Sequence, residues 1–127
     1  MKKKNLVLLF LTIEEDLLGK DVFLVPYYLG KVYDLDVKIV YLETESNKNI
    51  PRSYRGVTLE RIKPGRFHKE TAFIGYLAKN AKNIDSMMLL HLRYFSSILG
   101  VIYKKLHPNG YLYVKADGQK YDWRYWK

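Results

Sequence analysis

The residues of this chain that could do chemistry fall into two groups. The first is polar: His91 follows the apolar run Met87–Leu90, Arg93 stands two residues on, and Lys115 and Asp117 follow Tyr113-Val114. An imidazole donates, accepts or holds a proton near neutral pH. A guanidinium such as that of Arg93 presents a planar fork that suits a phosphate or diphosphate. Lys115 and Asp117 are two apart, so on a strand they share one face, where they pair with each other or meet a ligand. Thr12 and Gly19 bracket the polar, acidic stretch behind a first apolar run, Asn5–Leu11. Backbone amides near a helix start approach phosphates from such a loop. The second group is cationic: Lys48, Arg52, Arg55, Arg61, Lys63, Arg66, His68 and Lys69, with Tyr54 and Phe67 among the charges. The chain has 22 Lys and Arg against 13 Asp and Glu, a net charge of +9. That excess favours nucleic acid, acidic headgroups or phosphorylated substrates, and it equally suits a plain solvated face. No nucleic-acid-binding module accompanies it, which disfavours nucleic acid.

Regular elements must position these side chains. Met87–Asp117 reads as a strand ending at His91, an amphipathic helix, a Pro108-Asn109-Gly110 stop and a second strand. A unit of this kind makes a parallel pair, and ligands of open α/β sheets bind at the carboxyl ends of such strands. Upstream, Asn5–Leu11 reads as a strand covered on both faces. A helix follows, with Asp21 as its cap and Val22, Val25, Leu29 and Val32 in helical spacing; Pro26 moves its expected start to near Leu24. Asp36–Leu42 is a second strand, Glu43–Arg55 a loop, and Val57–Ile62 alternates like an edge strand. Phe67–Lys82 reads as a helix with Phe67, Phe73, Ile74, Leu77, Ala78 and Ala81 on one side, and Ile84–Leu90 as the next strand. The expected fold is one α/β domain over residues 1–117, a Rossmann-like three-layer unit with a mostly parallel five-stranded sheet flanked by helices. Residues 118–127 form an aromatic and basic tail containing Tyr121, Trp123, Tyr125 and Trp126.

A chain of 127 residues buries a real core as one domain. Having no cysteine, it has no disulfide and no thiolate chemistry. His68, His91 and His107 are far apart in sequence, so no metal site is expected. Lys2-Lys3-Lys4 before Leu6–Leu11 looks superficially like a secretion signal. Its apolar run is short, no small-residue cleavage site follows and Glu14-Glu15-Asp16 closes it, so a buried strand and a cytoplasmic protein are expected. No stretch reaches the ~20 apolar residues of a membrane span. The Gly-rich dinucleotide fingerprint, the Walker A loop and the nucleophile elbow are all missing. A response-regulator receiver fails as well, because His91 stands where its phosphoacceptor aspartate belongs.

Read together, several pieces resemble the N-terminal, acceptor-side half of a family 4 glycosyltransferase of GT-B fold. They are Gly19-Lys20-Asp21-Val22 with Pro26-Tyr27-Tyr28-Leu29, Ile84-Asp85 leading to Leu89-Leu90-His91, and Tyr113-Val114-Lys115-Ala116-Asp117. The resemblance spans nearly the whole chain through loose motifs. It implies transfer of a sugar, with retention, from a nucleotide-sugar donor to a glycan or lipid-linked acceptor, as in polysaccharide biosynthesis. It implies a catalytic role for His91 beside the transferred sugar, and substrate contacts for Thr12, Gly19, Arg93, Lys115 and Asp117. The donor and the paired glutamates of the family would belong to a C-terminal GT-B domain absent from this sequence. The expectation is therefore a truncated piece, inactive alone and without a cofactor of its own. Many such transferases dock on anionic membranes, which makes Arg52, Arg55, Arg61, Lys63, Arg66 and Lys69 candidate contacts at the inner membrane face. The competing expectation is a non-enzymatic binding or regulatory module that recognises an anionic partner.

Overall fold

The apolar runs become the centre of one sheet. The structure is a computed structural model that describes residues 3–10, 21–90 and 94–115, without the side chains of Asp21, Tyr94 and Lys115. Its elements are β1 (Asn5–Phe10), α1 (Asp21–Tyr33), β2 (Asp36–Leu42), β3 (Ser53–Tyr54), β4 (Val57–Ile62) and α2 (Thr71–Asn80), which a 3-10 turn extends over Ala81–Asn83. β5 (Ser86–Leu90), α3 (Tyr94–Leu106) and β6 (Tyr111–Lys115) complete the order. The sheet has six strands in the order β3-β4-β2-β1-β5-β6. Every pairing is parallel except β3 with β4, so the sheet is mixed.

Alternation of side chains divides the core between the two faces. Leu6, Leu8, Val37, Ile39, Tyr41 and Met88 pack with Val22 and Phe23 of α1. On the other face Val7, Leu9, Val40, Leu42, Met87 and Leu89 pack with Phe73 and Leu77 of α2 and Leu99 and Tyr103 of α3. Because both faces are covered, β1, β2 and β5 are almost wholly buried, which is why they read as continuous apolar runs.

Four expectations are corrected. The sheet has a sixth strand, so Val57–Ile62 is not at the edge: Ser53–Tyr54, inside the expected loop, pairs antiparallel outside it. The turn between them puts Arg55 at φ 50° and Gly56 at φ 84°, the left-handed pair of a two-residue hairpin. Helix α1 starts at Asp21 and holds Pro26 inside it. Burial of Val22, Phe23 and Pro26 against the sheet outweighs the one backbone hydrogen bond that proline forfeits. The buried stripe of α1 runs through Val22, Phe23, Pro26 and Gly30, leaving Val32 74% exposed. A Cβ on Gly30 would overlap Val37 Cγ2, so the glycine sets how closely α1 approaches β2. Finally, α2 begins at Thr71, and Phe67 lies in the preceding loop, 97% exposed; Ala78 is also exposed.

Candidate functional site

The chain builds the sheet outward from β1 to β2 and β4, then crosses back to lay β5 and β6 on the other side of β1. The direction of construction thus reverses between β1 and β5, and a crevice forms outside the carboxyl ends of two strands at such a point. Those ends are Phe10 and Leu90, with Leu9 and Leu89 in register. The segment carrying Thr12 and Gly19 continues from Phe10, and the segment carrying His91 and Arg93 continues from Leu90. Thr12, Gly19, His91, Arg93 and Asp117 lie outside the described residues, as does the expected tail. Lys115 is described by its backbone, opposite Leu90 at the end of β6.

The described part of this rim is held by Asn47. It is wholly buried in the loop after β2. Its Nδ2 donates to the Leu42 carbonyl at 2.9 Å, and its Oδ1 accepts from the Thr44 backbone N–H at 2.9 Å. One amide side chain therefore ends the strand and turns the chain. Arg61, at the end of β4, is tied into the same loop. It donates to the Lys48 carbonyl, 2.6 Å away, and its Nε lies 3.6 Å from Glu43 Oε1. Asn47 is not among the residues expected from the sequence, where its spacing from Thr44 in a polar stretch is the only signal of this turn.

Beyond β4 the chain makes a tight loop. Gly65 N–H donates to the Lys69 carbonyl at 3.0 Å, and the Thr71 hydroxyl donates to the His68 carbonyl at 2.8 Å. A side chain on Gly65 would overlap Thr71 Oγ1 and the His68 carbonyl, so only glycine closes the loop this way. Phe67 projects at its tip with the Arg66 guanidinium 5.7 Å from its ring centroid. His68 stacks on Phe95 of α3 at 5.7 Å. That contact sets the basic loop beside the start of α3, into which the segment of His91 and Arg93 leads.

The cationic run does not form one patch. Lys63, Arg66 and Lys69 are exposed around the Phe67 loop at the carboxyl edge. Arg55 is at the opposite edge, in the turn that enters β4, with its guanidinium 5.5 Å from the Tyr54 ring centroid. Arg52 is exposed just before β3, and Arg61 is engaged by Glu43 and the Lys48 carbonyl.

A cleft of about 420 Å³ opens at the amino-terminal edge between Asn5, Asp36, Lys38, Thr58, Tyr76 and Asn80. Its polar groups serve the fold. Asn5 N–H donates to Asp85 Oδ2 at 2.9 Å, Asp85 N–H donates to Asn5 Oδ1 at 2.7 Å, and Lys38 pairs with Glu60 at 3.3 Å. Burial and the nearby Glu60 push the Tyr76 phenol up to about 12. Tyr103 is pushed up to about 12 by burial and Asp85, and its hydroxyl donates to the Ile84 carbonyl at 2.7 Å. The Tyr103 phenol is a structural donor, and both phenols stay protonated at neutral pH. Among the described residues no group of His, Asp and Glu is placed to hold a metal ion, and no helix is long and apolar enough to cross a membrane.

No protein-family model, curated protein or solved structure matches this chain.

Proposed function

We propose that this chain is a Rossmann-like, acceptor-side domain of a sugar transferase. The supporting observation is the reversal of strand order between β1 and β5, whose carboxyl ends lead into the two segments richest in candidate contacts. In this reading the acceptor, a glycan or lipid-linked sugar, occupies the crevice beyond Phe10 and Leu90. Thr12, Gly19, Lys115 and Asp117 hold its hydroxyls, and Arg93 pairs with its phosphate where it has one. A second domain presents the nucleotide-sugar. The acceptor hydroxyl forms the new glycosidic bond as the nucleoside diphosphate leaves, and the hydroxyl proton passes to the departing phosphate. His91 stands beside the transferred ring and hydrogen-bonds it as charge develops.

Amide chemical-shift mapping of the isotopically labelled chain tests this. Titration with oligosaccharides and with a lipid-diphosphate sugar in short-chain form is expected to move the amides flanking Phe10, Leu90 and Lys115. His91→Ala and Arg93→Ala are expected to weaken that response without altering the melting temperature. Shifts confined to the amino-terminal edge, or a response to inorganic phosphate with none to the uncharged oligosaccharides and none added by the sugar of the lipid-diphosphate sugar, would refute the reading in favour of a simple anion-binding module.

A further inference from the structure

Phe67, at the tip of its loop, is the most exposed of the large apolar side chains among the described residues. A phenyl ring 97% exposed is costly to leave in water, and burying it elsewhere would recover that cost. The loop cannot fold back to do so, because the Gly65–Lys69 and Thr71–His68 hydrogen bonds fix it and point its tip outward. Around the tip stand Lys63, Arg66 and Lys69, all exposed, with no acidic residue between Lys63 and Lys69.

We propose that this loop docks the protein on an anionic lipid bilayer, with the Phe67 ring entering the boundary between headgroups and acyl chains and Lys63, Arg66 and Lys69 meeting the lipid phosphates. An apolar tip ringed by long cationic side chains is complementary to that interface: the ring gains an apolar medium and the cations remain at headgroup level. A nucleic-acid strand is a poorer fit. Stacking platforms offer aromatic faces to successive bases along a groove. Here the other ring of the loop, His68, is already stacked on Phe95. The docking surface does not depend on the sugar-transfer reading, since it rests on a loop outside the crevice.

Sedimentation with phosphatidylcholine vesicles, with and without phosphatidylglycerol, tests the proposal on the whole chain. Binding is expected only with the anionic lipid and is expected to weaken as salt rises. Phe67→Ala should lower the partition coefficient about tenfold while leaving its salt dependence intact. The triple change Lys63→Ser, Arg66→Ser, Lys69→Ser should lower it about a hundredfold and remove most of the salt dependence, each cation being worth about fivefold. Phe67→Trp should restore binding, and thermal melts should show all these variants folded, as expected for exposed positions. Equal binding to uncharged vesicles, full binding by Phe67→Ala, or tighter binding to a single-stranded homopolynucleotide than to the anionic vesicles would each overturn it. Loss of vesicle binding would leave the acceptor-induced amide shifts at Phe10 and Leu90 unchanged, so the two proposals fail separately.

Discussion

Replacing Asn47 by alanine removes its hydrogen bonds to Leu42 and Thr44 and leaves those partners behind. The Leu42 carbonyl is buried at the end of a central strand and loses its donor, and the part-buried Thr44 N–H loses its acceptor. A buried polar group left unpaired costs about 1–3 kcal/mol, and a part-buried one about 1 kcal/mol. The expected loss is about 2–4 kcal/mol, seen as a lower urea midpoint with an unchanged slope. For a domain of this size that corresponds to a fall in Tm of roughly 6–15 °C. Lys48→Ala, one residue on, is the control. It removes an exposed 3.4 Å ion pair with Glu45 and should cost less than about 0.5 kcal/mol. Asn47→Asp sharpens the test. Its carboxylate keeps the bond from Thr44 N–H but opposes the Leu42 carbonyl, so its folded-state pKa is raised. Stability of that variant should be greatest in acid, where the protonated acid donates to Leu42, and should be lost as pH rises from about 4 to 7. Equal midpoints for Asn47→Ala and Lys48→Ala would refute the reasoning.

Three further outcomes follow from the packing. Tyr103→Phe strands the Ile84 carbonyl and should cost about 1–2 kcal/mol in urea unfolding. In the parent protein Tyr103 and Tyr76 keep their protons up to about 12, whereas the unfolded chain releases them near 10. Stability is therefore complete below about pH 10 and is lost as pH climbs towards 12, and Tyr103→Phe should flatten that decline. Gly30→Ala gains about 1 kcal/mol of helix propensity. It nevertheless sets a methyl against Val37 Cγ2 in overlap and should destabilise overall, with Val37→Ala recovering part of the loss.

The sequence was most legible where the apolar pattern of a strand matches its burial. β2 and β4 appear with the expected bounds, Asp36–Leu42 and Val57–Ile62, because uninterrupted or alternating apolar residues leave little choice of face. What escaped was structure set by backbone conformation rather than by period. Two residues, Ser53 and Tyr54, carry no periodicity, and Arg-Gly is not among the favoured pairs for a left-handed hairpin turn. The edge of the sheet was therefore misplaced. The spacing of Phe67 from Phe73, Ile74 and Leu77 suits a helix face, although Phe67 lies in the loop before α2. The hydrogen bonds that close the loop at Gly65 and Lys69 have no such signature. Of the site, the positions of the candidate residues along the chain were legible, since they depend only on where the apolar runs stop. The ties from Asn47 to Leu42, Arg61 to Lys48 and His68 to Phe95 were not, because each depends on loop geometry that only folding creates.

The two edges of the sheet differ in a way that bears on both proposals. At the amino-terminal edge, reciprocal bonds between Asn5 and Asp85 clip β1 to β5 across 80 positions of sequence, while Lys3–Asp34 and Lys38–Glu60 tie down the strands beside them. Polar groups there are spent on joining elements. At the carboxyl edge, Asn47 and Arg61 anchor one loop, while Lys63, Arg66, Phe67 and Lys69 are turned outward on the next. A rigid base under an adorned rim is the arrangement in which ligand contacts vary without cost to the core. Because His68 stacks on Phe95, the outward loop borders the start of α3, and so borders the crevice between β1 and β5. On the proposed readings, docking through Phe67 brings that crevice to the membrane surface, where a lipid-linked acceptor would be presented. The pair of tests then decides the acceptor class. Vesicle binding together with crevice shifts favours a lipid-linked sugar, whereas crevice shifts without vesicle binding favour a soluble glycan.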